Sequence, residues 1–113
     1  MALVAPSMLS ADFLHLSRDV AMVNTYADIF HLDVMDGTFV PNISFGFPVI
    51  DAIASGASKP LDVHLMIVEP WKYIERVAKT GAAMVSSTWK RPGNALKAGT
   101  ALLTRLRWPV RWE

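Results

Sequence analysis

Cysteine is absent from the 113 residues. That excludes a disulfide framework, a thiolate nucleophile and any cysteine-ligated zinc or iron–sulfur site. Long apolar runs are absent too. None approaches the ~20 residues that cross a bilayer as a helix, so no membrane partner is expected. The opening MALVAPSMLSADF has no basic residue before its short apolar stretch. A secretory signal is therefore not expected, and a cytoplasmic protein is the default. Charge is sparse at 19%, against a usual ~25%. Hydrophobic residues make up 52%, which is ample core material for one domain and argues against disorder. There is no P-loop, no G-x-G-x-x-G and no G-x-S-x-G, so a phosphate-cradling loop and a serine elbow have no support.

The net charge of +1 conceals an asymmetry. Residues 1–88 hold five Lys/Arg and nine Asp/Glu, whereas residues 89–113 hold six Lys/Arg and one Glu. Trp89, Trp108 and Trp112 lie in that basic tail. Such a tail suggests a nucleic-acid or membrane arm. No recognition motif organises Lys90, Arg91, Lys97, Arg105, Arg107 and Arg111, and no nucleic-acid partner is expected.

The first 88 residues alternate strand-like and helix-like stretches. Residues 3–10 predict a strand. Phe13, Leu16, Val20 and Val23 form an apolar stripe that predicts a helix over 12–25, with Asp12 as its N-cap. Residues 27–35 predict a second strand, and 36–47 a loop punctuated by Gly37, Pro41, Asn42 and Gly46. Pro48 can open a short helix ending near Gly56. Residues 60–67 predict a third strand. Glu69-Pro70 starts a helix in which Trp71, Ile74, Val77 and Ala78 face one way and which Gly81 ends. A fourth strand covers 82–86. This order argues for a parallel α/β sheet with right-handed crossovers. Beyond Ser87 one helix is expected, over about 95–107, and no further strand.

Buried parallel strands usually read as continuous apolar runs. Two strands here depart from that in the same way. By the side-chain period of two, Ile29, His31, Asp33 and Met35 share one face of the second strand, with Phe30, Leu32 and Val34 opposite. In the third, Asp62, His64 and Met66 share one face, with Leu61, Val63, Leu65 and Ile67 opposite. Met8 and Ser10 take the comparable face of the first strand. The polar residues sit towards the C-terminal strand ends, where α/β proteins form their sites. His31, Asp33 and His64 suit Zn²⁺, Fe²⁺ or Mn²⁺. The competing reading is a pair of hydrogen-bonded core histidines beside a solvated aspartate. Asp36-Gly37 is ordinary turn chemistry, Met8, Met35 and Met66 are ordinary core residues, Ser10 can be only a helix cap, and His15 belongs on the surface.

APSMLSADF, HLDVMDGTFVPNISFG and KPLDVHLMIVEP, in this order and spacing, resemble the ribulose-phosphate 3-epimerase family. The resemblance covers residues 3–87. It implies a (β/α)₈ barrel that interconverts D-ribulose 5-phosphate and D-xylulose 5-phosphate, a sugar-phosphate substrate, one divalent metal ion (Zn, Fe, Mn or Co) and a tendency to homo-oligomers. The related enzyme acting on allulose 6-phosphate shares much of the pattern. By the family pattern His31, Asp33 and His64 match metal ligands, and Asp33 also matches a catalytic acid/base. Ser10, His64, Met35 and Met66 match substrate-contacting positions. The chemistry fits these types. Epimerisation needs an acid/base group on each side of the carbon, a metal to stabilise the developing charge, and apolar side chains that exclude water.

A complete barrel usually needs about 200 residues or more. The fold expected here is the N-terminal half of such a barrel over residues 1–87, followed by a non-family tail over 88–113. The family's second catalytic aspartate, which is also its fourth metal ligand, and its glycine-rich phosphate loops lie further on than this stretch. The chain alone is therefore expected to be inactive, a truncated fragment or metal-binding relic. The family continues its fourth strand with a pattern like His-x-Glu-Ala-Thr. Reading the last base of each codon with the first two of the next permits that pattern from Ser87 to Pro92, with Glu forced at Trp89/Lys90. This predicts a frameshift near Ser86–Ser87 and an out-of-frame tail. An open half-barrel leaves strand edges and apolar surface exposed.

Overall fold

The computed structural model describes residues 2–88 and, for the backbone alone, 104–106. Its centre is a sheet of strands β1 (Phe30–Met35), β2 (Leu61–Met66), β3 (Met84–Ser87) and β4 (Thr104–Leu106), in that spatial order. The first three run parallel. Helix α1 (Leu16–Tyr26) precedes β1, α2 (Phe47–Gly56) links β1 to β2, and α3 (Ile74–Ala78) links β2 to β3. The architecture is α/β and corresponds to the N-terminal half of a (β/α)₈ barrel.

The strand expected over 3–10 forms only in part. The Asp28 and Ile29 amides donate to Val4 O at 2.9 and 3.2 Å, and Ser7 makes a parallel bridge to His31. Beyond Ser7 the chain turns into a 3₁₀ turn, Met8–Ser10. The cause is local. The Ser7 hydroxyl accepts from the Leu9 amide, which draws the backbone out of the ladder into a capped turn.

The helix expected over 12–25 begins as a 3₁₀ turn, Phe13–His15, capped by Asp12, and continues as α1. Asp19 in α1 is buried and accepts from the Asp12 amide at 2.7 Å, which ties the two pieces together. His15 is exposed beside Asp12, as expected. Pro48 lies in the first turn of α2, also as expected. Asn24 of α1 donates to Gly56 O at 2.9 Å and accepts from the Ser58 amide at 2.8 Å. That clamp satisfies backbone groups at the end of α2.

The third helix is broken. A 3₁₀ turn, Pro70–Lys72, precedes the short α3. Glu69 caps the turn in the left-handed region at φ 55°, and the interruption falls at Tyr73, whose φ of −114° departs from helical values before α3 begins at Ile74. The break rotates Trp71 off the apolar face expected for it, leaving it 63% exposed, while Val77 is fully buried. Gly81, at φ 84°, ends the helical segment as expected.

The core lies between the helices and one face of the sheet. Phe30 and Leu32 of β1, Val63 and Leu65 of β2, and Ile50 and Ile53 of α2 are almost wholly excluded from solvent. The four strand residues among them are the apolar positions that the alternation predicts. Thr104–Leu106 differs from expectation: it is strand, paired antiparallel to β3, where the helix over 95–107 was expected. The edge of β3 offers unpaired N–H and C=O groups, and pairing with them overrides local helical preference. The rest of that expected helix lies outside the described residues.

Candidate metal centre

The polar strand face opposite the core carries the site. In the β1–β2 register Phe30 pairs with Leu61 and His31 with Asp62, while Asp33 pairs with His64 and Met35 with Met66. The period of two that sends Phe30 and Leu32 into the core sends His31 and Asp33 to the other side. His31 Nε2 lies 2.9 Å from Asp33 Oδ1, and His64 Nδ1 lies 3.2 Å from the same oxygen. The two imidazoles tilt at 53° with ring centroids 5.9 Å apart. One ligand atom from each of His31, Asp33 and His64 lies within 4.8 Å of the others. Their side chains are only 25%, 17% and 16% exposed. Two imidazoles and a carboxylate, converging and partly desolvated, suit a divalent first-row metal.

Burial pushes the Asp33 carboxyl up, but the Ser7 hydroxyl and the charges of His31 and His64 more than offset it. The net pKa lies below the ordinary carboxylate value. Asp33 is therefore held ionised, the state a ligand needs.

The remaining expected site residues are placed as follows. Met35 and Met66 stand side by side at the C-terminal strand ends, half-buried. Ser10 is exposed at the end of its 3₁₀ turn. The serine that reaches the cluster is Ser7, whose Oγ donates to Asp33 Oδ2 at 2.6 Å.

Ser44 is a second residue that sequence reasoning missed. Its hydroxyl donates to Asp33 O at 2.7 Å and accepts from the Met35 amide at 2.9 Å. It closes the end of β1 from eleven residues away, and no local signal marks it. Gly37 has a conformational requirement: φ is 76°, and a Cβ there would come 2.7 Å from Ile43 Cγ1.

Asp36 joins the loops after β1 and β2. It accepts from the amides of Val68, Phe39 and Thr38 at 2.8, 2.8 and 2.9 Å. These bonds, that of Val68 foremost, hold its pKa below the ordinary value despite desolvation. A pKa lower in the folded state contributes stability that is present above the unfolded pKa and lost as pH falls through the folded one. Asp36→Asn should therefore be less stable than the native chain at pH 7, with the difference closing as pH falls below about 4. Urea unfolding across that range measures it. A difference that is constant with pH would show that the charge is not involved.

Three parallel strands alternating with helices, with His31, Asp33 and His64 gathered on one face of the first two, define the class: an α/β protein of half-barrel type with a candidate metal centre. His31 stands near the start of β1 and Asp33 and His64 in mid-strand, not at the C-terminal ends where they were expected. Among the described residues no helix is long and apolar enough to cross a membrane. The model of the ribulose-phosphate 3 epimerase family matches residues 3–98, and the chain belongs to that family. It is 56% identical over 84 residues to the ribulose-phosphate 3-epimerase of a Synechocystis species, covering 74% of this chain and 36% of the relative. Against the Bacillus subtilis enzyme of that name it is 51% identical over 87 residues, 76% of this chain and 40% of the relative. Against the rice cytoplasmic isoform it is 39% identical over 118 residues, 88% of this chain and 52% of the relative. The chain thus spans between about a third and a half of the length of these relatives.

Proposed function

We propose that this chain supplies the metal-binding half of a sugar-phosphate epimerase centre, acting on D-ribulose 5-phosphate and D-xylulose 5-phosphate at C3. The observation that carries the reading is the convergence of His31 Nε2 and His64 Nδ1 on one oxygen of Asp33. These three side chains would hold one divalent ion, zinc, iron, manganese or cobalt. When bound, the ion would polarise the sugar's carbonyl and stabilise the charge that builds up as the proton leaves.

Asp33 turns Oδ1 towards the ligand nitrogens and keeps Oδ2 for the proton taken from, and returned to, C3. The Ser7 hydroxyl against Oδ2 orients the carboxylate and favours its ionised form. Met35 and Met66 would flank the planar carbon and keep water away from it. A cytoplasmic location suits a soluble metabolite as substrate, and the rice relative is named a cytoplasmic isoform.

Inversion needs a second acid/base group on the opposite face of the carbon. We therefore propose that these 113 residues acting alone bind metal but give no net epimerisation. The test is a zinc or cobalt titration together with incubation of D-ribulose 5-phosphate in deuterated buffer. The expected result is uptake of one ion without formation of xylulose 5-phosphate, and at most deuterium exchange at C3. Absence of uptake would remove the metal reading, and net turnover would remove the claim of inactivity. The forced Glu in the shifted frame favours one further reading, that residues 88–113 are out-of-frame translation. Resequencing the gene from codon 80 past codon 113 decides it.

A further inference from the structure

An imidazole nitrogen that binds a metal presents a lone pair, so the ring's proton must sit on the other nitrogen. Which nitrogen faces the ion is therefore set by what the second nitrogen meets. In this site both second nitrogens have partners. His31 Nδ1 lies 3.2 Å from Asp62 Oδ2, and His64 Nε2 lies 2.6 Å from Thr88 Oγ1. Neither partner is among the three converging ligands.

Both partners are placed by the backbone. Asp62 is the register partner of His31 on the neighbouring strand. Thr88, the first residue of the tail read as out of frame, follows β3 directly in this chain, and its amide donates to Leu65 O at 3.3 Å, which continues the β2–β3 pairing by one residue. The imidazole of His31 stands between Asp62 and Asp33, one nitrogen towards each. Asp62 thus addresses the far side of the ring from the point of convergence. Its side chain is 22% exposed, dry enough for a charge-assisted hydrogen bond to hold the ring.

We propose that Asp62 and Thr88 are positioning residues that fix opposite tautomers in the two histidines. Asp62 holds the proton of His31 on Nδ1 and frees Nε2 for the ion. The Thr88 hydroxyl accepts a hydrogen bond from His64 Nε2–H, which keeps the proton of His64 on Nε2 and frees Nδ1. The inference rests on the metal-centre reading and deepens it. Side chains that accept the second N–H of a metal-ligating histidine are worth about 10–100-fold in metal affinity. Asp62, a carboxylate, should stand at the upper end of that range, and Thr88, a neutral hydroxyl, at the lower.

The test uses the whole chain with ¹⁵N-labelled histidine, loaded with zinc, and needs no turnover. Long-range ¹H–¹⁵N correlation spectra should show the proton of His31 on Nδ1 and that of His64 on Nε2. Competition titration with a zinc chelator should show Asp62→Ala weakened by about 10–100-fold and Asp62→Asn by less, since an amide oxygen still accepts. Thr88→Val, which keeps the shape, should weaken binding, and Thr88→Ser should restore it. Asp62→Asn and Thr88→Val leave a usable comparison if Asp62→Ala does not fold.

No zinc uptake by the native chain would remove the metal-centre reading and this inference with it. Native-like affinity in the Asp62 and Thr88 variants, or a His31 proton on Nε2 in the loaded protein, would overturn this inference alone.

Discussion

Replacing Asp33 with asparagine is expected to abolish metal uptake at micromolar concentrations, a loss larger than the ~10–100-fold assigned to groups outside the ligand set. Three features concentrate on this one carboxylate. It offers the oxygen on which both histidines converge. It is the formal negative charge that would offset a divalent cation beside two neutral imidazoles. It is held ionised in spite of its burial, chiefly by the hydrogen bond from the Ser7 hydroxyl. Asparagine keeps the shape and the Oδ1 acceptor but removes the charge. A cobalt titration followed by visible absorption reads the result directly, since the band intensities report the coordination geometry. A folded Asp33→Asn chain with native affinity would mean that the ion, if bound, sits elsewhere. Ser7→Ala should act on the same group more gently. It removes one hydrogen bond to Oδ2, leaves the ligand atoms in place and raises the pKa of Asp33, so metal binding should weaken most at acid pH. The sign follows from ligation requiring the deprotonated form.

The site was legible in the sequence where strand alternation governs it. His31, Asp33 and His64 could be assigned to one face because β1 and β2 are regular over their whole length and their opposite face is apolar. The alternation failed at the first strand. Counting Met8 and Ser10 onto the site face assumes an extended chain through Ser10 and puts Ser7 on the other side. The chain leaves the extended state after Ser7, so the count no longer applies and Ser7 is the residue that reaches Asp33. The parity rule was sound, and the length of the element was the error.

The broken third helix has a similar origin. The apolar spacing of Trp71, Ile74 and Val77 is helical, but the segment opens as a 3₁₀ turn and becomes α-helix only at Ile74, which leaves Trp71 outside. Ser44 and β4 were illegible for another reason. Both are set by distant partners, the end of β1 and the edge of β3. Local propensity carries no information about either. The pairing of Asp62 with His31 lay between these cases. The shared face was visible in the pattern, but the register that places the two residues opposite each other was not.

Phe30→Ala tests how far the site depends on the core beneath it. Phe30 opens β1, has no solvent exposure and belongs to the cluster that also holds Ile53 and Val63. Removing a buried phenyl ring costs about 3–5 kcal/mol, from lost transfer free energy and the cavity left behind. Whole domains are stable by only about 5–15 kcal/mol, so the variant is expected to lose most of its stability. Urea unfolding by circular dichroism should show a large fall in midpoint, whereas Phe30→Leu, which refills much of the volume, should lose far less. The neighbouring residue on the strand, His31, faces the opposite way, and the side-chain change itself touches no ligand. Zinc should therefore bind the folded fraction of Phe30→Ala with native affinity and stabilise it by the usual linkage, about 2.7 kcal/mol at one hundred times Kd. An equal zinc-induced gain in the native chain and in Phe30→Ala would show that core and metal centre contribute independently. A smaller gain in the variant would mean that packing at Phe30 also sets the position of His31, with the backbone of β1 transmitting the strain from one face of the sheet to the other.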